Sequence, residues 1–326
     1  MGDSGSIMVT GSRGLIGRQV VTQLASWGRQ VVAADLGGDP PLFSELGDQV
    51  IERACDVTDY SSVYRLVKEL GVVRIVHLAG MLAPNSSADP ARAVVVNCVG
   101  TANIMQVSLE LGVVRVVWAS TTAVFGDANF YDDIVGRNLI SDSDVPNPKN
   151  IYSGSKYLNE IISLEFRRRG LDVLGIRPAM TFGHPEQSGA VGSLHRAFRD
   201  AILSGDGVVT QPWLASTRVN PISAADMGVI FAKAVLHPRA LSLPIYNAGT
   251  GDYVTVNDLA MMATKSGRLG CVRYENEGSG VLEPFDFPDV DSSRLRFELA
   301  WEPEYTLRES VERWVAPFVV ERGMLD

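Results

Sequence analysis

The chain has 326 residues, 46% hydrophobic and 21% charged, a balance that excludes intrinsic disorder and provides for one large or two modest buried cores. Its formal net charge of −9 argues against a nucleic-acid-binding surface. No stretch approaches the roughly 20 apolar residues of a membrane span, and "MGDSGSIMVTGS" lacks a secretory signal's basic flank and apolar run, so a cytoplasmic protein without nucleic-acid or membrane partners is expected.

In chain order, apolar β-branched runs predict strands at Ile7 to Thr10, Gln30 to Ala34, Gln49 to Ala54, Arg74 to Leu78, Arg115 to Ala119 and Val173 to Arg177. Between them lie amphipathic segments such as "GLIGRQVVTQLASWG", "DYSSVYRLVKELG", "ARAVVVNCVGTANIMQVSLELG" and "YSGSKYLNEIISLEFRRRG", each closed by a glycine suited to a helix C-terminus. Parallel strands need crossover connections, so this alternation predicts a doubly wound α/β fold of Rossmann type. After Arg177 the rhythm breaks into Gly- and Pro-rich loops, then returns with "AADMGVIFAKAVLHP" and "PIYNAGTG". The expected division is a nucleotide-binding domain of residues 1-179 plus 219-248, and a smaller substrate domain of residues 180-218 plus 249-326. Cys55, Cys98 and Cys271 lie far apart without metal-ligand spacing, and no metal site is expected.

The first strand runs into Gly11, Gly14 and Gly17 and then a helix. These glycines suit a tight turn, a close backbone approach to a pyrophosphate and close helix packing, with free N–H groups at the helix start. Arg13, Leu15 and Ile16 lie within the same loop and helix start. The second strand leads into Asp35 and Leu36; a carboxylate there accepts hydrogen bonds from a ribose diol and repels a 2′-phosphate, which favours NAD over NADP. Arg13 is the counter-argument, since a guanidinium can hold a 2′-phosphate. Asp56, followed by Val57, either caps the next helix or meets an adenine amino group, and Asp59 suits the capping role better.

"YSGSK" places Tyr152 and Lys156 four residues apart, on one helix face. "YRLVK" repeats that spacing at Tyr64 and Lys68, so spacing alone decides nothing. The surrounding motifs do. "TGSRGLIG", Asp35, "DV" at 56 and 57, "HLAG" at 77 to 80, Asn97 with "GTAN" following, "STTAVFG" at 120 to 126, "YSGSK" and "IRP" at 176 to 178 resemble the extended short-chain dehydrogenase/reductases, which include NAD-dependent epimerases and dehydratases.

That resemblance implies NAD as cofactor, with Leu78, Ala79 and Gly80 as a wall against it, Asn97 behind its nicotinamide half and Pro178 beside it. It implies Thr121, Tyr152 and Lys156 as the catalytic group and a homodimer built through the "GTANIMQVSLELG" and "YLNEIISLEF" helices. A free phenol with a pKa near ~10 is a poor base at neutral pH; a neighbouring ammonium lowers that pKa, so Lys156 is expected to make Tyr152 usable.

The chain departs from the dehydratases of that family: Thr122 and Ala123 stand where they carry an Asp-Glu pair. Met180 stands where nucleotide-sugar epimerases carry an asparagine, and Arg218 is one residue out of register with their diphosphate-gripping arginine. Thr122, Met180, His184 and Arg218 are the expected substrate contacts, and Arg196, Arg199 and Arg273 further candidate anion holders. The reading is an NAD-dependent oxidoreductase acting on a secondary alcohol of a small polar or sugar-like substrate. A nucleotide-sugar epimerase retaining its NAD is one alternative, and a non-catalytic NAD-sensing protein another.

Overall fold

The computed structural model describes residues 5–37, 40–136, 139–183, 189–210, 213–266, 270–275 and 286–323. Ser6–Thr10 (β1), Val31–Asp35 (β2), Val50–Ala54 (β3), Val72–His77 (β4), Arg115–Ala119 (β5), Val173–Pro178 (β6) and Ile245–Ala248 (β7) form one sheet. Its order is β3-β2-β1-β4-β5-β6-β7, with every neighbouring pair parallel. Both faces are covered, and the strand sequences alternate between two cores. Ile7 and Val9 of β1, with Val31 and Ala33 of β2, join helices Leu15–Ser26 (α1) and, further along the chain, Ala224–Leu236; Met8, Val32 and Ala34 join the opposite cluster. That second cluster contains Val63 and Val67 of Tyr60–Glu69 (α2), Ile104 and Met105 of Pro90–Leu111 (α3), and Phe166 of Ile151–Arg168 (α4). Such runs, apolar on both sides, are what a sheet buried on both faces demands.

By length and composition α3 would pass as a membrane span, contrary to the sequence expectation. In the fold it packs on α2 and α4. Its apolar character is partly used in that packing, and Asn97, buried within it, bonds to backbone and to Ser155.

A separate core lies at the C-terminal ends of the strands. It joins Gly189–Ser204 (α5), Val256–Ser266 and Leu307–Gly323, through Phe198, Leu259, Trp314 and Phe318 among others. Ala224–Leu236 is α6 and Val256–Ser266 is α7. One segment departs from the expected division. Helix Ser293–Leu299 (α8) places Leu295 and Leu299, with Trp301, in the sheet's first core, because its apolar side faces β7 and α6 rather than α7. The stretch after Gly126 is only partly exposed. Asp132 and Asp133 are exposed, but Tyr131 and Ile140 are buried with Phe125 and Val290, and strand Leu139–Ile140 pairs with Asp289–Val290.

Helices α1 and α6 approach closely where Gly228 meets Gln19. A Cβ at Gly228 would lie 2.6 Å from the Gln19 Cβ and 2.9 Å from its backbone carbonyl carbon. Since backbone cannot yield as a side chain does, Gly228→Ala is expected to destabilise the fold by about 1–3 kcal/mol. A denaturant melt with an unchanged midpoint would show that the two helices separate freely.

Candidate active site

One cavity of about 1070 Å³ runs along the C-terminal edge of the sheet, from the glycine loop to the second lobe. This is where strand order reverses between β1 and β4, the position at which open α/β sheets bind ligands. Gly11 has a φ of 67°, and a Cβ there would lie 2.6 Å from the Ala79 nitrogen. A Cβ on Gly17 would lie 2.1 Å from the Gly11 carbonyl oxygen. Glycine is therefore dictated at both positions by space. Gly14 begins α1 without any side chain capping its first N–H groups, which leaves them for an anion.

Asp35 ends β2 with both carboxylate oxygens facing this loop: Oδ2 accepts from the Arg13 N–H (2.9 Å) and Oδ1 from the Leu36 N–H (2.8 Å). The Arg13 guanidinium is turned to Glu52 (3.2 Å) and the Pro40 carbonyl (3.1 Å). A 2′-phosphate would therefore meet Asp35, while the Arg13 charge is already neutralised by Glu52. Asp59 caps α2 through the Ser61 N–H, and Asp56 accepts from Thr58 while lining the cavity. Gly11, Arg13, Gly14, Leu15, Ile16, Gly17, Asp35, Leu36, Asp56, Val57, Leu78, Ala79, Gly80 and Pro178 all line it. The cradle, the uncapped helix and the ribose-facing carboxylate fit NAD.

Thr121, just beyond β5, caps the short turn Thr122–Phe125 by accepting from the Ala123 N–H (3.2 Å). Tyr152 and Lys156 lie in the first two turns of α4. That helix begins with a capping box: the Asn150 side chain accepts from the Ser153 N–H, and the Ser153 hydroxyl accepts from the Asn150 N–H. Tyr152 and Thr121 line the cavity together. The Lys156 ammonium lies 6.0 Å from the Tyr152 ring centre and donates to the Ala119 carbonyl (2.7 Å).

Here the electrostatics differ from the sequence expectation. Burial pushes the Tyr152 phenol up to about 12, and it is the Thr121 hydroxyl, not Lys156, that draws it down; burial pushes Lys156 down to about 8. Tyr64 and Lys68 form only a surface stack, the exposed ammonium 5.7 Å from the ring, away from the cavity.

Asn97 does not line the cavity, contrary to its expected cofactor contact. It sits in a π-helical turn, Val95–Val99, within α3. Its amide accepts from the Met81 N–H (2.7 Å) and donates to the Met81 carbonyl (3.1 Å) and the Ser155 hydroxyl (2.9 Å), so it holds the wall after Gly80 against α4. Thr122 and Met180 line the cavity. Arg218 does not: its guanidinium pairs with Asp289 at 2.7 Å. Arg199 and Arg273 pair with Glu321 and Asp206 at the surface. His184 lies outside the described residues.

Sequence reasoning missed the groups beneath this site. Glu160 accepts from the Ser120 hydroxyl (2.7 Å), from Arg177 Nε (2.7 Å) and from Arg177 Nη2 (2.8 Å), with both charged side chains at most 4% exposed. Arg177 also donates to the Asp142 carbonyl, and Asp142 in turn accepts from the Asn247 N–H (2.6 Å). On the other side, Thr10, His77, Thr101 and Asn159 form a buried hydrogen-bond chain, with His77 kept neutral by burial, its pKa pushed down to about 3. The missed signal is the spacing of Tyr152, Lys156 and Glu160: three polar residues at i, i+4 and i+8 on a helix face that is buried.

Residues 7–249 match the model of the NAD dependent epimerase/dehydratase family. The chain belongs to that family. A UDP-glucose 4-epimerase of Haemophilus influenzae is 24% identical, covering 94% of this chain and 95% of that protein. A uronate dehydrogenase of Pseudomonas syringae pv. tomato is 28% identical over 55% of this chain and 61% of its own length. Among solved structures, MoeE5 in complex with UDP-glucuronic acid and NAD superimposes with a TM-score of 0.81 at 24% identity, covering 98% of this chain and all of that one. L-threonine dehydrogenase from Phytophthora infestans gives 0.82 at 21% identity, covering 97% and 100%. Epimerases and dehydrogenases of this family thus share the fold, and NAD is its cofactor.

Removing Glu160 would leave the Arg177 charge buried without its partner. Glu160→Ala is expected to destabilise the protein by about 3–5 kcal/mol. A thermal melt within error of the parent protein would show that the pair contributes nothing net.

Proposed function

We propose that the protein is an NAD-dependent dehydrogenase, acting on a secondary alcohol of a small polar or sugar-like substrate, with Tyr152 as base. The observation that carries this reading is that Thr121, Tyr152 and Lys156 meet in the wall of one cavity that the glycine loop and Asp35 also line. A substrate hydroxyl seated between the Thr121 and Tyr152 oxygens has a donor and an acceptor in place. Bound NAD supplies the hydride acceptor and a positively charged ring. Tyr152 takes the hydroxyl proton as the C–H electron pair leaves with the hydride, giving a ketone, NADH and one proton. Lys156, held by the Ala119 carbonyl, keeps a positive charge near the ring of the phenolate that accepts this proton.

The epimerase reading is favoured by a different observation: relatives named UDP-glucose 4-epimerase align over more than nine-tenths of the chain. An epimerase returns the hydride to the other face and retains its cofactor. NAD(H) released by denaturing the purified protein separates the two readings, stoichiometric for an epimerase and substoichiometric for a dehydrogenase.

The reading includes a homodimer. Val94, Val95 and Val99 of α3 and Leu158 and Ile161 of α4 are 39–46% exposed, an apolar surface on two helices that lie side by side. A two-fold pairing of that surface would remove it from water.

Two predictions follow from these assignments. Burial pushes the phenol up, and at every pH below its pKa the base form grows about tenfold per pH unit. Alcohol oxidation at saturating NAD should therefore accelerate with rising pH. Tyr152→Phe should lower kcat by at least about 10²-fold, remove that slope and leave NAD affinity within a few-fold; near-normal turnover would refute the base assignment. Val95→Asp should convert the dimer to monomer in light scattering, and an unchanged mass would place the contact elsewhere.

A further inference from the structure

Resting on the dehydrogenase reading, a narrower statement concerns what the substrate carries beyond its reacting carbon. The second lobe's wall of the cavity is formed by Met180, Val191, Trp213, Val219, Phe287 and Pro288, together with the uncharged Thr181, Thr217 and Asn220. Trp213 and Phe287 lie with ring centres 6.1 Å apart, tilted by 39°, and both line the cavity. No described residue of this wall is charged.

The cation placed to break that pattern is Arg218, and strand geometry turns it away. In the two-residue strand Arg218–Val219, successive side chains point to opposite sides. Val219, 1% exposed, takes the cavity side. Arg218 pairs with Asp289, and its own N–H donates to Asp286 (3.0 Å). Of the segments outside the described residues, 184–188, 211–212 and 276–285 contain no lysine or arginine but include His184, while 137–138 and 267–269 contain Arg137 and Arg268.

Among the described residues, the cations that line the cavity are on the other lobe. Arg13 is paired with Glu52, and Lys156 is bonded beneath Tyr152. Arg92 and Lys149 are exposed at the rim, where salt screens them over about 8 Å. A diphosphate drawn against the second lobe would lose its hydration with no charged donor to replace it, which is strongly unfavourable. An apolar group there would gain roughly 25 cal/mol for each Å² it removes from water, and an aromatic ring would gain more against Trp213 and Phe287.

We propose that the substrate is a neutral secondary alcohol, or the matching ketone, polar at the carbon facing Thr121 and Tyr152 and carrying an aryl or similar apolar group against Trp213 and Phe287, with no diphosphate. The polar end matches the hydroxyl-lined floor and the apolar end the second lobe's wall.

The test uses the full chain saturated with NAD. UDP is titrated calorimetrically into the parent protein, and NADH formation is followed from 1-phenylethanol and from UDP-glucose. The expected result is no UDP binding at 1 mM, on the order of a thousandfold above a micromolar site, together with oxidation of 1-phenylethanol. Phe287→Ala, a partly exposed position, should lower kcat/KM for 1-phenylethanol at least tenfold. Micromolar UDP binding, turnover of UDP-glucose alone, or a Phe287→Ala protein with unchanged kcat/KM would overturn the proposal while leaving an oxidoreductase. If neither alcohol yields NADH, stoichiometric NAD(H) released on denaturation would overturn the dehydrogenase reading on its own. The proposal is then decided by whether acetophenone quenches tryptophan fluorescence of the NADH complex in the parent protein but not in Trp213→Phe, while UDP binds to neither.

Discussion

A carboxylate and a guanidinium, both almost sealed from water, hold the catalytic edge of this molecule together. Glu160 projects from α4, the helix that carries Tyr152 and Lys156, and Arg177 from β6, one residue before Pro178. The two-pronged contact fixes the rotation of the helix against the strand end, and the Ser120 hydroxyl on Glu160 fixes the neighbouring strand end as well, one residue before Thr121. Burying two charges is expensive unless every donor and acceptor is met. Here the remaining Arg177 donor reaches the Asp142 carbonyl and the Asn247 amide, and its guanidinium covers the Phe125 ring. The same pair thereby binds the stretch after Gly126 and the last sheet strand to the site.

A second polar chain works on the opposite side of α4. Thr10 ends the strand that feeds the glycine loop, and its hydroxyl accepts from the Leu78 and Ala79 N–H groups while bonding to His77. His77 passes the contact to Thr101 and Asn159. A neutral imidazole can donate from one nitrogen and accept at the other, which suits it to link two hydroxyls within a core that excludes a charge. The cradle and the catalytic helix are thus held by one set of buried bonds, with the π-turn around Asn97 supplying the extra width that lets its amide face Met81 and Ser155 together.

Burial that gives this precision opposes the ionised forms the chemistry uses. The phenol is pushed up and the ammonium down by the same loss of water. Thr121 offsets part of the first effect. The site is therefore organised in shape before a ligand arrives, while the buried phenol and ammonium are both held toward their neutral forms.

Much of this was legible in the sequence because it depends on local rules. A strand, three spaced glycines and a helix start can meet a phosphate in few ways, and period-two apolar runs alternating with helical ones specify a doubly wound sheet. Asp35, Thr121, Tyr152 and Lys156 were readable by position relative to those elements. The partners of Glu160, His77 and Asn97 were not, because each reaches across at least sixteen residues of chain to a group brought near only by strand order. The side chosen by Arg218 was equally hidden: alternation along a strand says that Arg218 and Val219 point apart, but which of them faces the cavity depends on where Asp286 and Asp289 come to rest. Sequence alone determined the elements and the glycine cradle, since these follow from spacing along one segment. The tertiary structure decided which charges are spent on each other and which surface is left for a substrate, since that depends on distances between segments that no local pattern encodes.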